Sequence, residues 1–253
     1  MELFFRYIAK LLKLNTKAVF HYRIVSRIMF YFIILFISCS KEDDNPVTPK
    51  PEDKITVTDI DGNLYSAVTI GSQVWTTCNL KVTHYRNGDP IPNVTEDMVW
   101  HNLHSGAYCN YNNDPTYSST YGRFYNWFAV TDSRGLAPQG WHVPTDEEWQ
   151  TLITFLGGSE DGGGYLKQTG TALWAAPNTG AGNEFGFNAL PAGYRTFQTG
   201  KTIQMGYLAI FWSATIAEWD YYAWQYGITH SQSTINRNYG DTSAGYSVRC
   251  VRD

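Results

Sequence analysis

Ten consecutive apolar residues, Ile28 to Ile37, divide this chain into parts that cannot share one core. A membrane-crossing helix needs roughly 20 apolar residues, so this run is too short to span a bilayer. It has the length of the apolar centre of a secretory leader, and Arg23 and Arg27 supply the positive flank. The 27 residues before it are long for such a flank and carry an amphipathic pattern (Leu3, Phe4, Tyr7, Ile8, Leu11, Leu12). Translation therefore starts at Met1, or at Met29 with loss of the basic flank. On the other side, Ser40 to Asp53 is polar, holds three prolines and has almost nothing to bury. Such a segment is an extended tether. Folding is left to residues 55–253, where no second linker interrupts the sequence.

Ser38-Cys39 follows the apolar run directly. A small residue before a cysteine at that place resembles a bacterial lipobox, whose cysteine takes a diacylglyceryl group and becomes the mature N-terminus. Phe36 departs from the pattern, standing where leucine is commonest. The run Lys41-Glu42-Asp43-Asp44 resembles an export signal of some Bacteroidetes surface lipoproteins. The expected organisation is a leader at 1–38, a lipidated tether at 39–54 and one domain at 55–253. The expected location is the outer membrane, facing outward, with membrane contact through the lipid on Cys39.

Charge narrows the partners. The net charge of −4 includes a basic leader with six Lys or Arg and one Glu. From Cys39 onward 13 basic residues face 22 acidic ones, a net of −9. Phosphate backbones require Lys and Arg, so nucleic acid is excluded as a partner, and so is charge-driven binding to anionic lipid.

Within 55–253, Ile55–Thr58 and Leu64–Ile70 flank Asp61-Gly62, which predicts a hairpin with a type I′ turn. Gln73-Val74-Trp75 continues as a strand after Gly71. Asp59, Asp61 and Asn63 resemble the start of a calcium loop, but Leu64 stands where that loop needs glycine, and the hairpin is preferred. Residues 81–120 read as loops, and 121–130 as an aromatic core segment, helix or strand. Thr145 with Glu148 three residues on forms a capping box, and Trp149, Leu152, Ile153 and Leu156 make one apolar face, so a helix starts here and stops at Gly157-Gly158. Beyond it, Gly186-Phe187, Leu190-Pro191, Ala209–Ser213, Tyr222–Ile228 and Tyr246–Val251 read as short strands. The class is α+β.

Seven stretches, in order, resemble the Fibrobacter succinogenes major paralogous domain family: Val68–Trp75, Cys78–Leu80, Tyr108–Tyr111, Tyr121–Trp127, Gly140–Trp149, Phe211–Ser213 and Ser247–Asp253. They run through most of the domain. Trp141–Trp149 and Ser247–Cys250 are also similar, more distantly, to the helix start and terminus of the formylglycine-generating enzyme group. That similarity implies a C-type-lectin-like fold: a twisted antiparallel sheet, flanking helices and long loops. It does not imply that group's oxidase chemistry, because the sequence lacks its closely spaced cysteine pair. Three cysteines remain behind the anchor, and export favours a disulfide. The resemblance favours Cys109–Cys250, with Cys78–Cys250 as the alternative.

No catalytic set stands out. Glu147 and Glu148 are adjacent and do not face one another on a helix, and His142 reads as a hydrogen-bonded structural residue. Glycine-rich Gly162-Gly163-Gly164 lacks the Lys-Ser/Thr of a phosphate loop. Asn112-Asn113-Asp114 before Pro115 reads as a turn rather than a metal site. No cofactor and no metal is expected. The candidate ligand-binding residues are aromatic: Trp100, Trp219, Tyr221, Tyr222 and Trp224. In a continuous strand Trp219 and Tyr221 would share one face, and Tyr222 and Trp224 the other. The expected function is a non-catalytic binding or adhesion module with a glycan or a surface protein as ligand. The alternatives are an enzyme acting on extracellular polysaccharide and a structural envelope protein.

Overall fold

Alternating side chains on a few strands send neighbouring residues into two large, separate apolar clusters. The computed structural model describes residues 55–219 and 221–253; the leader, Cys39 and the tether lie outside them. Strands β1 (Ile55–Thr58), β2 (Leu64–Ile70), β3 (Gln73–Thr76), β6 (Trp141–His142) and β12 (Val251–Arg252) form a five-stranded sheet in the order β1-β2-β3-β12-β6. Strands β9 (Leu208–Ile216), β10 (Tyr222–Thr229) and β11 (Ile235–Asp241) form a second sheet with β10 in the middle. Two small ladders join β4 (Tyr108–Cys109) to β5 (Phe124–Tyr125) and β7 (Tyr194–Arg195) to β8 (Thr202–Ile203). These strand pairs are antiparallel. The longer helices are α1 (Asp146–Phe155) and α2 (Ser159–Leu166). The class is α+β.

Neighbouring residues on a strand point to opposite faces. Val74 and Ile210 accordingly enter one apolar cluster, with Tyr65, Tyr125 and Trp212. Trp75 and Phe211 enter the other, with Trp149, Phe187 and Tyr226. Helix α1 covers this second cluster with Trp149, Leu152 and Ile153. Each such side chain stabilises the fold by about 1.5–3 kcal/mol when fully buried. The capping box forms: Thr145 Oγ1 accepts from Glu148 N at 3.2 Å, and Glu148 Oε2 accepts from Thr145 N at 2.8 Å.

The predicted hairpin is present, but its connection is not a two-residue type I′ turn. The last paired residues are Thr58 and Leu64, and of the residues between them only Gly62 has positive φ. A type I′ turn needs two such residues. Asp59 holds the longer loop instead, its carboxylate accepting from Asp61 N, Asn63 N and Tyr65 Oη.

Three segments depart from the sequence reading. Gly186-Phe187 and Leu190-Pro191 are not strands, although Phe187 is fully buried. Tyr246–Val251 is broken, because the Arg249 side chain takes carbonyls that a continuous ladder would use. Strand β11 and helix α2 were not anticipated. No helix among the described residues is long and apolar enough to cross a membrane.

Candidate functional site

The β10–β11 face starts in the core and ends in solvent. Register pairs Ile228 with Ile235, Tyr226 with Arg237, Trp224 with Tyr239 and Tyr222 with Asp241, so these residues share one face. Ile228 and Ile235 are buried. Tyr226 lies under α1, stacked on Trp149 at 4.8 Å between ring centroids, and its hydroxyl donates to Asp146 Oδ1 at 2.7 Å. Asp146, the first residue of α1, also accepts from Arg237 through two parallel bonds, Nε to Oδ1 at 2.8 Å and Nη2 to Oδ2 at 2.9 Å. The start of α1 therefore marks the edge of coverage. Beyond it Tyr222, Trp224 and Tyr239 are left on the surface.

Trp219, in the turn between β9 and β10, completes the cluster. Its ring lies 5.4 Å from Tyr239 and 6.5 Å from Tyr222, both edge to face. Tyr239 in turn meets Tyr222 at 5.3 Å and Trp224 at 6.4 Å. Edge-to-face pairs of this kind fix ring orientation and contribute about 0.5–1.5 kcal/mol each. Trp219 is 55% exposed and Tyr239 45%. Arg237 stacks on Trp224, its guanidinium carbon 3.2 Å from the ring centre, so one face of Trp224 is already occupied.

This arrangement corrects the expected face assignment. Strand β10 begins only at Tyr222, so strand alternation does not govern Trp219, and the turn folds it onto the face of Tyr222 and Trp224. Tyr221 is 73% exposed. Trp100 is corrected outright: it is fully buried, its Nε1 donates to Ser243 O at 2.7 Å and Arg195 lies over its ring at 4.4 Å. It is core, and presents nothing to a ligand. Tyr239 and Arg237 were missed. Local sequence carries no signal for them, because Arg237 interrupts any apolar alternation between Ile235 and Tyr239.

The remaining polar candidates serve the fold. His142 is held from both sides, its Nε2 2.7 Å from Glu148 Oε1 and its Nδ1 2.6 Å from Asp253 Oδ1. Burial lowers its pKa, but the hydrogen bonds to Asp253 and Glu148 outweigh that and raise it on balance. Asp114 Oδ1 accepts from Thr116 N and Oγ1, capping the short helical turn after Pro115. No group of three or more His, Cys, Asp or Glu among the described residues is arranged to hold a metal ion.

Cys78, Cys109 and Cys250 carry free thiols in this structure. Cys109 lies in a third cluster with Trp100, Ala107, Phe124 and Ala192, whereas Cys250 lies in the first. Burial pushes the Cys109 thiol up to about 11, against the opposing pull of Arg195.

Comparison with curated proteins and with solved structures finds no match. Residues 68–252 match the family model described as the Fibrobacter succinogenes major domain. That span holds both sheets' central strands, α1 and the aromatic surface, and the chain belongs to the Fibrobacter succinogenes major domain family.

Proposed function

We propose that this chain is an outward-facing lipoprotein of the outer membrane, anchored through Cys39, whose non-catalytic domain binds neutral glycan. The observation that carries the reading is the surface of Trp219, Tyr222, Trp224 and Tyr239 where α1 ends. A sugar ring offers C–H groups to an aromatic face and hydroxyls to polar atoms at its rim. Rigid aromatics with polar tips meet both demands at low entropic cost. Neutral glycan is favoured over anionic glycan because the charge of Arg237 is already matched by Asp146 and the chain beyond Cys39 is acidic. The Ser38-Cys39 lipobox, the acidic run behind it and the proline tether support display away from the membrane. A C-type-lectin-like fold is the finer architectural reading, supported by the antiparallel sheets, the paired helices and the long irregular stretch between β3 and β6.

The test is binding of the full chain to an array of neutral and anionic glycans. Native protein should be enriched on neutral glycans over a heat-denatured control. Trp219→Ala and Tyr239→Ala should each weaken binding about 10-fold or more, the size of an aromatic anchor's contribution. Phe155→Ser, an exposed aromatic elsewhere, should leave it unchanged. No enrichment, or equal binding by the Trp219 and Tyr239 variants, overturns the reading.

A further inference from the structure

We propose that Cys78 and Cys250 are a redox pair that closes to a disulfide under oxidising conditions and ties the C-terminal strand to the N-terminal hairpin. The geometry comes from the way residue 76–80 backbone runs past 248–250. Thr76 N donates to Cys250 O at 3.0 Å, Cys250 N donates to Thr76 Oγ1 at 3.0 Å, and Leu80 N donates to Val248 O at 2.9 Å. Five residues on one side therefore oppose three on the other. The extra residues form a bulge, with Cys78 at its centre opposite Val248–Cys250.

Side-chain direction agrees. Arg249 is drawn toward Thr76 O, Asn79 Oδ1, Phe187 O and Asn188 O. Val248 and Cys250, one residue either side, enter the first apolar cluster, and Cys78 packs against that same cluster. Arg249 thus does not stand between the two thiols. Cys109 belongs to a different cluster, beside Arg195, and is the thiol left over.

The two thiols differ in access. Cys250 is buried and Cys78 is half-buried. Burial also raises the Cys250 pKa, so its thiolate is scarce in the folded chain. The oxidant is an organic disulfide. The Cys78 thiolate attacks one of its sulfurs, breaking that S–S bond and releasing one thiol. Cys250, deprotonated, then attacks Cys78 sulfur in the mixed disulfide, forming Cys78–Cys250 and releasing the second thiol. Two electrons and two protons pass from the cysteines to the oxidant. Closure belongs to folding, before Cys250 is sealed off.

The experiment refolds the full chain in an excess of oxidised over reduced glutathione, blocks free thiols by alkylation, and maps peptides without reduction. The expected result is one cross-linked peptide joining Cys78 to Cys250, with Cys109 recovered alkylated after unfolding. Reduction should lower the thermal midpoint by roughly 5–15 °C. A Cys109→Ser chain should keep both the cross-link and the shift. Recovery of Cys78 and Cys250 as separate alkylated peptides, or either one joined to another cysteine, overturns the proposal. These readouts do not involve glycan and stand apart from the binding reading.

Discussion

Arg249 is fully buried, and among the described residues its partners are neutral: Asn79 Oδ1 and the carbonyls of Thr76, Phe187 and Asn188, all within 2.7–2.9 Å. Its planar fork reaches four acceptors in two chain segments, 76–79 and 187–188, while lying over Phe187 at 4.5 Å, which an ammonium could not do. Burial pulls its pKa down to about 10. Lys167 is used in the same way, its Nζ donating to the carbonyls of Thr179, Thr229 and Gln232, with burial bringing its pKa to about 8. Loops whose carbonyls would otherwise be orphaned are gathered by these two cations. His142 makes stability depend on pH near neutrality. Its folded pKa lies above its ordinary value of about 6.5. Its contribution is therefore fully present below about pH 6.5 and is lost as pH rises through the folded pKa. Unfolding free energy measured by denaturant from pH 6 to 7.5, below the range in which Lys167 titrates, should fall for the native chain, and His142→Asn should flatten that slope. A parallel slope in the variant would show that His142 is not its source.

Helices α1 and α2 differ in how far local sequence specifies them. For α1 the cap, the acidic first turn and the apolar spacing all agree, so it was readable from residues 145–156. Helix α2 contains Gly162, Gly163 and Gly164, which read as a flexible turn. Tertiary packing explains them. A Cβ on Gly163 would sit 2.4 Å from Thr234 O, and one on Gly164 2.5 Å from Gly180 O. Both glycines let another backbone approach the helix. In an open helix Gly→Ala stabilises by roughly 0.5–1 kcal/mol. Gly163→Ala should instead destabilise by about 1–3 kcal/mol, the range for overpacking, measured by chemical denaturation. A stabilised variant would mean that the Thr234 backbone is free to move away. Strand β11 escaped notice for a related reason. It is an edge strand whose Asn236, Arg237, Asn238 and Tyr239 are exposed, so it carries no apolar alternation until its place beside β10 is known.

At the scale of the whole molecule, the two ends of the folded region share one sheet: β12 lies between β3 and β6, with β2 and β3 separating it from β1. The proposed anchor should be separable from the domain, because the segment between Cys39 and Ile55 has almost no apolar side chain to pack. Cys39→Ser should abolish incorporation of labelled fatty acid and move the chain out of the membrane fraction. The thermal midpoint of the domain should stay unchanged. Retention of the label would place the lipid elsewhere, and a large drop in midpoint would mean that the tether packs on the domain.

Local pattern determined the features that depend only on neighbouring residues: the apolar run before Cys39, the α1 cap and stripe, the hairpin strands and the α+β class. Tertiary structure alone decided which aromatics are surface and which are core. Trp100 and Trp219 both precede or sit in loop-like sequence, yet one is sealed beneath Arg195 and the other, 55% exposed, meets Tyr239 edge to face. The difference lies in what comes to cover each ring from far along the chain. Arg195 and Ser243 cover Trp100, while α1 starts at Asp146 and stops covering the sheet short of Tyr222. Burial is a property of such long-range neighbours, and no window of local sequence contains them.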